Sequence, residues 1–308
     1  MNNSRELNKD KNHGTSSETP SGTLSVAEDL NNKRVNYVSY AGNASEESAD
    51  RDFVSCLRER IGEFVGSDED LDDLQLKGLH IIQKKDGFRF GTDAVLLSYF
   101  TDLKNRENVM DLCTGSGIIP LLFAGKTESS DIRGLEIQHS YADMAQRSVE
   151  LNSLSDRVMI TEGDLKDMDL IKSLGKFSVV TANPPYKKYM TGIKNEREDL
   201  LTARHEYMMK LSDLTEASSI LLKDGGRLCM IHRPERLLDI ITAMRDVRIE
   251  PKRIRTVSPY HGKAPSMVLI EGIKYGKPNL KWESELVMYD GNRNPTEEIR
   301  RIYGEING

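Results

Sequence analysis

Short apolar runs alternate with longer amphipathic stretches through the second half of this 308-residue chain, and that alternation restricts its fold most. Residues 109–113 (VMDLC) read as a buried strand, followed by a Gly-containing turn and the apolar helix IIPLLFAGK. Residues 131–137 read as a second strand. A helix over 140–152 follows, with Tyr141, Ala145 and Val149 on one face. Further strands are expected at 157–162, 177–182 and 226–232, and helical spacing over 204–222 puts Tyr207, Leu211, Leu214 and Leu221 in register. Pro234 suits the first position of a helix carrying Leu237, Ile241 and Met244, and two strand-like runs close the chain at 252–257 and 266–275. Strands that alternate with helices imply an α/β fold with a doubly wound, largely parallel sheet. Such sheets bind ligands beyond the carboxyl ends of their strands, where the strand order reverses.

The region before residue 69 differs in composition. Residues 1–73 hold 8 Lys/Arg against 16 Asp/Glu, whereas residues 74–308 hold 35 against 33. The net charge of −6 therefore belongs to the N-terminal part and does not exclude a nucleic-acid partner for the rest. Residues 1–47 are polar, lack apolar periodicity and read as disordered. Phe53, Leu57, Ile61 and Phe64 fall on one helical face, so a short amphipathic helix is expected over 48–65. The expected division is an acidic extension over 1–68 and a catalytic domain over 69–308. No apolar run approaches the ~20 residues that span a bilayer. The N-terminus has no apolar segment of the secretory kind, and a soluble cytoplasmic protein is expected. Cys56, Cys113 and Cys229 are far apart and form no metal-binding spacing; they read as reduced thiols, with no metal expected.

Motifs fall at the expected strand ends. Asp111-Leu112-Cys113-Thr114-Gly115-Ser116-Gly117 joins the first strand to its helix. Gly115 and Gly117 permit tight backbone geometry and leave room for a ligand, although a strand-to-helix turn alone would also use them. Pro120 stands where a third glycine would complete a dinucleotide fingerprint, which argues against a pyrophosphate-bearing cofactor. A sulfonium cofactor carries no phosphate and favours a nearby carboxylate, which Asp111 supplies. Glu136 lies 19 residues after Gly117 and ends the second strand, a position from which a carboxylate accepts bonds from ribose hydroxyls. Asp164 ends the third strand and can accept a bond from an adenine amine.

The fourth strand ends in Asn183-Pro184-Pro185-Tyr186. An aromatic amine is a poor nucleophile because its lone pair is delocalised. The Asn183 side-chain oxygen and the Pro184 carbonyl can accept its two hydrogens and aim the lone pair at a methyl donor. The prolines stiffen the loop so that both acceptors are in place beforehand. Tyr186 offers a ring face to a target base.

In this order the motifs resemble the amino-methyltransferases of the Rossmann-like class, and more narrowly the bacterial tRNA1(Val) adenine-37 N6-methyltransferases. The resemblance extends to the segment Gln83–Leu97, to Ala203-Arg204-His205-Glu206, to His232-Arg233-Pro234-Glu235-Arg236 and to the ending MYDGNRNPTEEIRRIYG, over roughly residues 70–304. It implies the class I methyltransferase fold of seven strands, six parallel and the last antiparallel. It implies S-adenosylmethionine as cofactor, held by Asp111, Thr114, Gly115, Gly117, Glu136, Asp164 and Asn183. Asn183, Pro184 and Tyr186 become the catalytic set and tRNA the partner, recognised through shape and phosphates. Candidate phosphate contacts are Lys187, Lys188, Arg204, Arg233, Arg236, Arg253, Arg255 and Lys263, and His205 and His232 are candidates to line the pocket. Two alternatives stay open at this level: methylation of a protein glutamine or of another RNA or DNA amine, which asks the same of the NPPY loop, and a non-catalytic RNA-binding module.

Overall fold

A computed structural model of the chain describes residues 62–87, 89–185 and 210–304. The disorder expected over 1–47 and nearly all of the 48–65 helix lie outside these; residues 62–64 are helical.

Among the described residues the main sheet has nine strands. Five are parallel and consecutive in space: β5 (Val158–Glu162), β4 (Ile132–Glu136), β3 (Val109–Leu112), β6 (Phe177–Ala182) and β7 (Leu222–His232). β9 (Met267–Lys274) lies antiparallel to β7, and β8 (Ile249–Tyr260) lies antiparallel to β9. These seven match the expected six-parallel, one-antiparallel arrangement. Two short strands, β10 (Lys281–Trp282) and β11 (Leu286–Tyr289), add parallel pairing to β8 and enlarge it. The chain winds outward through β3, β4 and β5, then returns to lay β6 on the other side of β3. The order therefore reverses between β3 and β6, whose carboxyl ends are Leu112 and Ala182.

The helices are α1 (Thr92–Thr101), α2 (Ile118–Lys126), α3 (His139–Leu151), α4 (Met168–Ser173), α5 (Leu211–Leu221), α6 (Leu237–Asp246) and α7 (Glu297–Ile302). Pro234 opens a single 3-10 turn, Pro234–Arg236, ahead of α6. Successive strand residues face opposite ways, and two cores result. Val109, Val179, Cys229 and Ile231 pack with Leu97, Phe100, Leu121 and Phe123 of α1 and α2. Met110, Val180, Leu228 and Met230 pack with Ile171, Leu214, Leu221, Ile240 and Met244 of α4, α5 and α6. Asp111 and Thr181 are cross-strand neighbours in this alternation.

A separate antiparallel hairpin, β1 (Glu69–Asp73) and β2 (His80–Lys84), leans on α3. Side chains of that helix satisfy its backbone: Asn152 accepts from His80 N–H at 2.9 Å and Ser148 Oγ accepts from Ile82 N–H at 3.0 Å. Arg147 holds the buried Glu69 carboxylate at 2.7 and 2.8 Å and donates to the Phe64 carbonyl. This guanidinium is the main reason that the Glu69 pKa falls to about 2.

Candidate active site

The loop after β3 bends through three left-handed residues, Cys113 (φ 59°), Gly115 (φ 57°) and Gly117 (φ 83°). Cys113 bears a side chain in that region, a strain on the order of 1–2 kcal/mol that the surrounding packing must hold. The two glycines serve different ends. A Cβ on Gly117 would stand 3.0 Å from the Cβ of Ala145, so this residue lets α3 close on the loop. A Cβ on Gly115 would meet nothing within 4 Å, so that side of the loop is open.

Three acidic side chains from adjacent strands lie about this loop, close enough that all raise the pKa of the Cys113 thiol. Glu136, at the end of β4, is buried; its two oxygens accept from Gly115 N–H and Gln138 N–H, both at 2.9 Å. These two donors fix the carboxylate and leave each oxygen a further lone pair. Asp164 follows β5, where its carboxylate accepts from Lys166 N–H at 2.9 Å, and Gly163 N–H ties this turn to the Glu136 carbonyl at 2.9 Å. Asp111 lies within β3 and is 1% exposed. Its Oδ1 accepts from Thr181 Oγ1 of β6 at 2.6 Å, and its Oδ2 has no partner. Burial pushes the Asp111 pKa up to about 7; the Thr181 hydroxyl pulls it back, Thr114 does so more weakly from outside hydrogen-bond geometry, and Glu136 adds to the rise. The Cys113 thiol is driven well above its ordinary range by burial and then by the same acids, so it stays protonated.

Asn183 follows β6 directly, across the strand boundary from the Asp111 loop. Its Oδ1 is buried without a hydrogen-bond partner. Four buried side-chain polar atoms among the described residues share that condition: Asp111 Oδ2, Thr114 Oγ1, Asn183 Oδ1 and Arg253 Nε. Three of the four thus belong to β3, its loop and the residue after β6, at the reversal point. A buried polar atom left unbonded costs about 1–3 kcal/mol, so such a grouping marks a place built for a ligand. An acceptor-rich hollow without phosphate-binding features suits a cation-bearing nucleoside, and the residues present fit S-adenosylmethionine.

Residue placement splits the remaining expectations. Tyr186, Lys187, Lys188, Arg204 and His205 lie outside the described residues. Pro184 is buried and Pro185 exposed. His232 ends β7, buried; its Nδ1 accepts from Arg233 N–H at 2.8 Å. Burial first, then the nearby Arg236, lowers its pKa to about 4, so it is neutral at pH 7. Arg233 donates to the Ser266 carbonyl at 3.2 Å, and Lys263 sits in the exposed turn between β8 and β9. Arg236 is half exposed and pairs with Asp239. Arg253 and Arg255, however, point inward to partners. Arg253 pairs with Glu271 at 3.0 Å and covers the Phe100 ring at 4.0 Å, and Arg255 pairs with Glu298 at 2.8 Å. Sequence reasoning missed Thr181, although a hydroxyl at the inner end of the run FSVVTA, two residues before Asn183, was a usable signal.

Residues 84–246 match the family model described as the methyltransferase small domain. The chain belongs to this family. The tRNA1(Val) (adenine(37)-N6)-methyltransferase of Actinobacillus succinogenes is 30% identical over 75% of this chain and 94% of its own length. The protein of the same name from Haemophilus influenzae is 28% identical over 72% of this chain and 92% of its own. Among solved structures, a predicted O-methyltransferase from Agrobacterium tumefaciens superposes with a TM-score of 0.55 at 23% identity, covering 69% of this chain and 95% of that one. That likeness bears on the fold alone. The expected S-adenosylmethionine-dependent methyltransferase is borne out by the family and its relatives. Among the described residues no helix is long and apolar enough to cross a membrane, and no group of His, Cys, Asp or Glu is placed to hold a metal ion.

Proposed function

We propose that the chain methylates the exocyclic N6 amine of an adenine in tRNA, adenine-37 of tRNA1(Val) being the first candidate, and that it does so in the cytoplasm. The observation that carries this reading is the unbonded, buried Asn183 Oδ1 beside the acidic hollow. S-adenosylmethionine supplies a methyl group activated by its sulfonium charge. Glu136, already fixed by two backbone donors, holds the ribose; Asp164 accepts from the adenine amine of the cofactor; Gly115 leaves the space clear. Thr114 Oγ1 and Asp111 Oδ2 line the side nearer the cation.

On the substrate side, Asn183 Oδ1 and the Pro184 carbonyl accept the two hydrogens of the target amine. Both acceptors hang from the end of β6, a central strand, so they need little reorganisation as charge develops on the nitrogen. The amine's proton leaves after transfer, and no general base is required. Tyr186 stacks on the target base. Lys187, Lys188, Arg204, Arg233, Arg236 and Lys263 are the proposed phosphate contacts; Arg253 and Arg255 are held in ion pairs instead.

Residues 69–308 form the proposed catalytic domain and 1–68 its extension. The contacts of Phe64 and Gly66 with Arg147 and Glu69 make Gly62, rather than Glu69 at the domain boundary, the better first residue for a shortened chain. The deciding experiment is transfer of labelled methyl to total tRNA, followed by nucleoside analysis. N6-methyladenosine supports the reading. Label in protein, or none in adenosine, defeats it.

A further inference from the structure

The Asp111–Thr181 bond joins the two strands, β3 and β6, whose ends carry the loops of the site. We propose that Thr181 is a positioning residue for the cofactor: its hydroxyl holds one oxygen of Asp111 so that the other, unpartnered, faces the cationic ligand. The inference rests on the cofactor half of the reading above and not on its tRNA half.

The geometry is specific. Asp111 and Thr181 are register partners on β3 and β6, both essentially inaccessible to water. The Thr181 donor is 2.6 Å from Oδ1; Oδ2 has no donor in hydrogen-bond geometry, and the Thr114 hydroxyl acts on the carboxylate from farther off. The titratable groups facing Asp111 are Glu136 at the end of β4 and the Cys113 thiol in the loop, with Asp164 beyond them after β5. None of these is a cation. A buried carboxylate among acids takes up a proton readily, and the pKa near 7 says that Asp111 does so close to neutrality. A hydroxyl donor opposes that proton by stabilising the charged form. Thr181 therefore sets both the direction of Oδ2 and the pH at which it bears the charge that attracts a sulfonium.

The sign follows directly. Below pH 7 Asp111 is largely protonated and binding of S-adenosylmethionine is weak; affinity rises as pH climbs through 7 and then levels. Without the Thr181 hydroxyl the Asp111 pKa goes higher still, so the rise moves to more alkaline pH and affinity at pH 7 falls by about tenfold, the loss of one hydrogen bond to a charged group.

The test is calorimetric titration of the full chain with S-adenosylmethionine, without tRNA, from pH 5.5 to 8.5. The variants are Thr181→Val, Thr181→Ser and Asp111→Asn, each checked by thermal melting. Titration of the ligand itself is common to all and cancels in the comparison. Expected are a rising profile for the wild type and the Ser variant, the same profile displaced to higher pH for Val, and a flattened one for Asp111→Asn. Thr181→Ala, which cannot overpack, replaces Val if that variant does not fold. A Val or Ala variant with lowered melting temperature but unchanged affinity and midpoint would make Thr181 merely structural and overturn the proposal. So would a Ser variant as weak as Val, or a wild-type affinity independent of pH. Failure of tRNA methylation would leave this result standing, because no tRNA takes part.

Discussion

The two glycines of the loop after β3 should respond differently to the same substitution. Both have positive φ, so alanine at either place meets a backbone strain of about 1–2 kcal/mol, partly offset by a stiffer unfolded chain. For Gly115 that is the whole stability cost, because the new methyl group meets nothing within 4 Å. For Gly117 the methyl group lands 3.0 Å from the Ala145 Cβ and 3.4 Å from its Cα, on the backbone of α3, which cannot swing aside. Overpacking of this kind adds about 1–3 kcal/mol. Gly117→Ala should therefore lose about 3 kcal/mol in all and melt roughly 6–12 °C lower, and Gly115→Ala about 1 kcal/mol and 2–4 °C. Binding should reverse the ranking. The Gly115 methyl group projects into the hollow and should weaken S-adenosylmethionine by about tenfold or more, whereas Gly117→Ala, kept below its melting temperature, should bind within a few-fold of wild type. Thermal melting and calorimetry on the same preparations decide it. Wild-type affinity in Gly115→Ala would mean that the cofactor does not occupy this hollow, and the site assignment would fall.

Three further outcomes are expected. Asn183→Ala should keep cofactor affinity and slow single-turnover methyl transfer by ~100- to 1000-fold, because its acceptor acts mainly in the transition state; a near-wild-type rate would refute the NPPY reading. Lys263→Ala should lower the log–log salt slope of tRNA binding by about 0.7–0.9, whereas Arg253→Ala should leave the slope alone and destabilise the fold; the reverse pattern would mean that the ion pairs do not hold in solution. Glu69 has its pKa lowered from 4.5 to about 2, so its ion pair contributes stability above pH 4.5 and loses it as pH falls towards 2. Glu69→Gln should cost about 3 kcal/mol at pH 7 in urea unfolding and flatten that acid limb; an unchanged limb would count against the clamp.

The parallel strands were readable because each is a compact apolar run, and β3 to β6 fall within a residue or two of expectation. β7 begins at Leu222, four residues earlier than its apolar run, because Leu222 already pairs with Phe177 before the register shifts over Lys223-Asp224-Gly225-Gly226 and resumes at Arg227. The β1–β2 hairpin was invisible: Glu69-Asp70-Leu71-Asp72-Asp73 carries no strand pattern. It is a strand because its acids meet Arg89, Arg147 and Lys84. β10 and β11 are too short for any period and exist through β8. In the site, residues fixed by position along the chain were legible, such as Glu136 at its distance from Gly117. Those whose role depends on a neighbour across the sheet were not. A count of arginines cannot separate the paired Arg253 from a free one, and Thr181 acquires meaning only opposite Asp111.

The place of β9 in the sheet has a consequence for how the chain is made. β9 covers the outer side of β7, yet it follows β8 in sequence. Until residue 274 has left the ribosome, β7 offers Leu228, Cys229, Met230 and Ile231 along an unpaired edge. That edge, apolar on both faces, is the kind of surface that recruits strands from other chains. A chain cut after β8 would keep every residue of the proposed cofactor hollow and still expose this edge, so aggregation rather than loss of the site would be its failing. In the finished sheet the last long strand on that side is β8, and the two-residue β10 and four-residue β11 cover parts of it. β10 and β11, which follow β8 and β9 in the chain, thus shield an edge that stays open until they are made.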